Sequence, residues 1–123
     1  MDVRIMNTKE GKLIRASIAF AVKMINLHDT IERKAYLKNQ LARAATSIGA
    51  NIHEANYAES GDDFVHKMRI ALKECHETEY WLMVLAESSP AFRDAALQLR
   101  RDAGSIRCML ISSINTRLAS MAH

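Results

Sequence analysis

Apolar residues recur at intervals of three and four along most of this chain, and strong breakers interrupt that rhythm at only two places. Leu37, Leu41, Ala44, Ala45, Ile48, Ile52 and Ala55 make one series. Phe64, Met68, Ala71, Leu72, Cys75, Leu82 and Leu85 make a second, and Phe92, Ala96, Leu99, Ala103, Ile106 and Leu110 a third. A period near 3.6 puts each series on one face of an α-helix. The breakers are Ser60-Gly61-Asp62-Asp63 and Ser88-Ser89-Pro90. One proline and four glycines in 123 residues are too few for the many turns of an all-β fold.

The pattern predicts four helices in a single domain, 1–123, at about 8–27, 30–58, 61–87 and 90–119. Short connections favour an antiparallel, up-down-up-down four-helix bundle. Thr8 is placed to cap the first helix, whose clearest apolar stripe is Ile14, Ile18, Ala21 and Ile25. Leu13, Phe20, Met24 and Leu27 form a second stripe beside it, so this helix is apolar over a face wide enough for two partners. Asn26 to Thr30 reads as the first connection, with Asp29 and Glu32 spaced as a capping box for the second helix. Gly49 weakens that helix by up to about 1 kcal/mol unless another backbone packs closely there. Ser60 caps the third helix, and Ser89 before Pro90 caps the fourth.

The net charge of +3 is unevenly spread. Residues 1–53 carry nine basic and four acidic side chains, residues 54–79 three and seven, and residues 80–123 five and three. Such a chain suits an anionic partner or copies of itself. Cys75 and Cys108 stand apart within helical patterns and read as small core or interface residues in a reducing compartment. The polar stretch Met1 to Glu10 lacks the apolar segment of a secretory signal. Ile14 to Leu27, the most apolar run, is shorter than the ~20 residues of a membrane span. A cytoplasmic protein without membrane contact is the expectation.

No nucleophile elbow, phosphate loop or dinucleotide fingerprint occurs, so the sequence predicts no enzyme and no cofactor. Metal-binding bundles use Glu-x-x-His pairs. Here Asp63 and His66 share that spacing once, and His76 and Glu79 reverse it, so no metal site is predicted.

Polar features remain. Arg43, Ser47, Asn51 and Glu54 form a stripe beside the apolar face of the second helix. Glu74, Glu77 and Glu79 are either a solvated face or, through Glu77, part of a buried network with Arg43 or Asn51. Arg93, Arg100 and Arg107 recur every seven residues, with Arg101 and Arg117 beside them. Arg33, Lys34, Lys38 and Arg43 form a second basic run. These runs are ordinary solvated faces or contacts to phosphate backbone. Tyr80 and Trp81 point roughly 100° apart, so one faces the core and the other the surface or an interface. Phe20, on the extra stripe of the first helix, joins them as a candidate oligomer contact.

The run Leu41-Ala-Arg-Ala-Ala-Thr-Ser-Ile-Gly-Ala-Asn-Ile-His-Glu54 resembles a signature of the bacterial four helix bundle proteins encoded in intervening sequences of 23S ribosomal RNA genes. Phe64-Val-His-Lys-Met-Arg-Ile-Ala-Leu-Lys-Glu-Cys-His-Glu-Thr-Glu79 resembles the second signature, in order and at the right distance. Departures stand at Gly49, often proline in the family, and Ala55, often glycine; both should leave the second helix straighter and longer. The resemblance implies a four-helix protomer that assembles into a ring, a homopentamer above all, with no catalysis. It also implies kinship with accessory proteins of diversity-generating retroelements, basic barrels that bind a reverse transcriptase and its RNA or DNA.

The expected function is therefore a non-enzymatic oligomeric scaffold that binds nucleic acid, a reverse transcriptase, or both. Arg33, Lys34, Lys38, Arg93, Arg100, Arg101 and Arg107 are its candidate nucleic-acid contacts. The alternatives are a protein-interaction module without nucleic acid and a metal-dependent bundle enzyme, the latter motivated only by scattered acids and histidines.

Overall fold

The computed structural model describes residues 8–122. Thr8 opens α1 (Lys9–Thr30) by accepting the Gly11 N–H on its hydroxyl, satisfying a donor that has no carbonyl within the helix. Then come α2 (Ala35–Ala55), α3 (Gly61–Ser88), a 3₁₀ turn at Pro90–Phe92, and α4 (Arg93–Met121). Ser60 caps α3 through the Asp63 N–H at 3.0 Å, and the Asp63 carboxylate reaches back to the Glu59 N–H. The polar stretch read above as lacking a signal lies, as far as Asn7, outside the described residues.

Cross-helix contacts fix the directions. Arg43 meets Glu74 and Glu77 while Glu54 meets Lys67, so α2 and α3 are antiparallel. Arg107 meets Glu79 and Arg93 meets Glu87, so α3 and α4 are antiparallel. Lys9 reaches Ser112 while Lys23 reaches Asp102, so α4 returns along α1 and closes the bundle. The result is the all-α four-helix bundle expected from the periodicity.

The core is filled by the predicted faces of α2, α3 and α4. Leu41, Ile48, Met68, Leu82 and Leu110 are within 2% of complete burial. Each contributes roughly 1.5–3 kcal/mol relative to exposure. Gly49 lets α1 approach closely, because a Cβ there would lie 3.1 Å from the buried Ser17 Oγ.

Several expected boundaries shift. α1 continues to Thr30, so Asp29 lies inside it and forms no capping box with Glu32. The connection is 31–34 instead, anchored by the buried side chain of Ile31. Arg33 and Lys34 take left-handed φ values of 66° and 54° there, and Lys34 caps α2 without a side-chain bond. α2 ends at Ala55 and not near 58, where the Asn56 backbone and side-chain amides both donate to the Ile52 carbonyl, at 3.3 and 2.9 Å. Pro90 opens a 3₁₀ turn, and Ser89 supports it through its carbonyl, not the predicted hydroxyl cap.

Candidate functional site

The α2–α3 seam holds the polar residues that the sequence singled out. Arg43 donates to Glu77 at 2.6 Å and to Glu74 at 3.2 Å. The Glu77 carboxylate also accepts the Trp81 indole N–H at 3.3 Å. The Arg43 bond holds the Glu77 carboxyl below its ordinary range, whereas burial pushes Glu74 up. Of the two readings left open for the acidic group, the bridge from Glu77 to Arg43 forms, but it is not buried and Asn51 takes no part in it. The Arg43 side chain is 48% exposed, so solvent screens the cluster. The Asn51 amide turns to the Ser47 carbonyl at 2.9 Å, one turn back on its own helix, and Glu54 pairs with Lys67 at 3.4 Å. The stripe thus splits into three local arrangements, two that cross to α3 and one within α2.

Above Arg43 lies an aromatic group. Trp81 meets Tyr36 edge-on at 5.9 Å and Tyr80 at 5.1 Å between ring centroids. Trp81 is half-buried against the core, while Tyr80 is 61% exposed, which is the division predicted for adjacent aromatics.

The basic residues do not converge on one face. Arg107 is committed to Glu79 at 2.8 Å, and Arg93 lies 3.7 Å from Glu87. The heptad spacing was right about geometry, since both residues face α3, but that seam carries the carboxylates that neutralise them. Arg107 is thereby corrected from a free phosphate contact to one half of a salt bridge. Arg101 donates to Gln98, and Lys38 donates to the Ile31 carbonyl at 2.9 Å. Arg33, Lys34 and Arg100 are exposed. Arg33 and Lys34 present their charge from the left-handed connection at one end of the bundle.

The stripes of α1 reverse their expected roles. Phe20 is 2% exposed, packed in the core of its own protomer, and cannot serve as an oligomer contact. Leu13 and Met24 are buried with it, while Ile18, Val22 and Ile25 stand 55%, 51% and 47% exposed. Ser17 hid the inner face from a hydropathy reading. It sits buried in that face, its hydroxyl satisfied by the Ile14 carbonyl at 2.7 Å. The width of the apolar surface was the available signal for a second contact surface; which side of it faced outward was not.

At the opposite end of the bundle from Arg33, the start of α1, the α2–α3 corner and the end of α4 line a half-open cavity of about 760 Å³. Ile14, Ala55 and Phe64 contribute apolar walls, and His53, Tyr57 and Arg117 polar ones. The Arg117 guanidinium carbon lies 4.3 Å over the Phe64 ring. In the sequence, Arg117 reads only as added charge on the fourth helix.

A family model described as 23S rRNA-intervening sequence protein matches residues 9–112. The chain belongs to this family. A crystal structure of a protein of unknown function from the S23 ribosomal protein family, from Bacteroides thetaiotaomicron, is 38% identical. The match covers 88% of this chain and 99% of that one, with a TM-score of 0.81. Among curated proteins, none matches.

The thiols of this intervening-sequence protein differ. Cys75 is buried with Sγ 3.2 Å from the Ala103 carbonyl, and burial pushes it up to about 12, which leaves it un-ionised and unreactive near neutrality. Cys108 is exposed. Among the described residues, no three His, Cys, Asp or Glu side chains gather as metal ligands would, and no helix is long and apolar enough to cross a membrane.

Proposed function

We propose that this intervening-sequence protein is a non-catalytic scaffold that assembles with copies of itself through the outer ridge of α1. The observation that carries the reading is the line of Ile18, Val22 and Ile25, three large apolar side chains about half exposed on successive turns of one helix. Single exposed apolar residues are common, but a contiguous ridge marks an interaction surface. The exposed Tyr80 offers a second contact on another face, as a closed ring requires two different patches. The family resemblance implies such a ring, with five copies its expected form. Light scattering after size exclusion tests the proposal. The wild-type chain should elute as an oligomer, and Val22→Glu should lower its mass toward one protomer with helicity retained. A wild-type monomer, or an unchanged mass in the variant, would overturn it.

The exposed Arg33 and Lys34 favour a second activity on that scaffold: contact with the phosphate backbone of RNA or DNA, alone or alongside a reverse transcriptase. Scarce aromatics make backbone contact better suited to this surface than base readout. A structured RNA should bind at ~50 mM salt and weaken steeply by ~200 mM. Arg33→Glu with Lys34→Glu should abolish that binding. If no RNA binds at low salt, the chain is a protein-interaction module without a nucleic-acid role.

A further inference from the structure

We infer that the cavity at the α2–α3 corner is a binding site for a small organic carboxylate with an aromatic or branched apolar body. The size fits: about 760 Å³ falls within the ~300–1,000 Å³ of small-molecule sites. The lining fits as well. Ile14 and Phe64 are core residues with one side turned to the cavity, so an apolar body there removes their remaining contact with water.

The anionic end is assigned by Arg117. Its guanidinium is half-buried over the Phe64 ring, and among the described residues no carboxylate pairs with it. The other half-buried guanidinium of α4, Arg107, has its carboxylate in Glu79. The ring face attracts the cation but takes none of its N–H bonds, and among the described residues no side chain accepts them. A carboxylate matches that planar fork with two parallel, charge-assisted hydrogen bonds. Tyr57 and His53 belong to the same lining and bring polar groups that can add hydrogen bonds. Glu59 also borders the cavity and opposes an anion, but it is exposed, so water screens its charge. The Asp63 carboxylate is occupied with the Glu59 N–H.

Calorimetric titration of the full chain with 3-phenylpropionate tests this. Saturable binding of one molecule per chain is expected, about tenfold or more weaker in Arg117→Gln, where the charge-assisted bonds are lost. Arg117→Lys should keep part of the affinity, and Glu59→Gln should increase it. Circular dichroism confirms that each variant is folded. Phenylpropylamine, the same body with a cation, should not bind, and inorganic phosphate should bind more weakly than the organic acid. The site assignment fails if the wild type shows no saturable binding, if Arg117→Gln binds as well, or if the amine or phosphate binds equally. Ile18 borders both this cavity and the α1 ridge, so particle mass is followed in the same samples. Lost assembly with retained carboxylate binding would count against the scaffold alone.

Discussion

Arg43 on α2 holds Glu77 on α3 at 2.6 Å, and the same guanidinium reaches Glu74 at 3.2 Å. The two carboxyls respond in opposite directions. Glu77 is lowered, first by the Arg43 bond, so its contribution to stability is present at neutral pH and is lost as pH falls through its lowered folded value. Glu74 is raised, first by burial, so its contribution is full below the ordinary carboxylate value and is lost as pH rises through its raised folded value. Glu77→Gln should therefore lower stability at neutral pH by up to about 1 kcal/mol, the scale of a half-exposed ion pair, and lose that effect in acid. Glu74→Gln should raise neutral-pH stability. Urea midpoints at neutral pH and below the carboxylate range check both, and equal losses for the two variants would contradict the opposed shifts.

Gly49 and Ser17 make a coupled pair. Alanine at 49 gains about 1 kcal/mol of helix propensity, but its Cβ would meet the Ser17 Oγ at 3.1 Å. That oxygen is held by the Ile14 carbonyl and cannot easily move away. Gly49→Ala should thus come out near zero in the wild type. In a Ser17→Ala background the nearest contact becomes the Cβ at 3.5 Å, an ordinary distance, and the same change should stabilise by up to about 1 kcal/mol. A double-mutant cycle by urea unfolding reads the coupling, and additive effects would rule it out.

How much of this was legible depended on whether the deciding contact was local. The buried faces of α2, α3 and α4 follow from spacing within one helix, and the caps at Thr8 and Ser60 from residues three apart. The close approach at Gly49 was legible because glycine in a helix interior needs a reason. The 31–34 connection was not, since the burial of Ile31 is a tertiary event that overrides the local capping signal of Asp29 and Glu32. Nor was the fate of Arg107, whose partner Glu79 is brought to it only by the register of α3 against α4. The α1 faces were exchanged because one buried hydroxyl, Ser17, interrupts the inner stripe. The cavity at Arg117 had no sequence signal, because it joins parts of four helices.

Phe20 and Val22 separate folding from assembly. Phe20→Ala empties a buried site and should cost about 3–5 kcal/mol, read as a large fall in the urea midpoint. Ile18→Glu and Val22→Glu alter exposed positions and should leave the stability of the protomer within about 0.5 kcal/mol while reducing oligomer mass. If both classes of variant lower stability equally, the exposed ridge is part of the protomer fold and not a contact surface.

The left-handed pair Arg33 and Lys34 makes the last prediction. Their φ values of 66° and 54° put a Cβ close to the following carbonyl, a strain of about 1 kcal/mol per residue that glycine would not carry. The buried Ile31 and the Lys38 ammonium on its carbonyl, 2.9 Å away, hold the connection in place despite that strain. Lys34→Gly should therefore raise the thermal midpoint by roughly 4 °C, the shift expected from about 1 kcal/mol in a chain of this size. It also removes a cation from the exposed end of the bundle. If that end contacts phosphates, the stabilised variant should bind RNA less well at low salt and with a shallower salt dependence. Stability gained with binding lost would mean that the strained turn is kept to present charge. A lower midpoint in Lys34→Gly would mean that the lysine stem packs against α2 strongly enough to outweigh the strain.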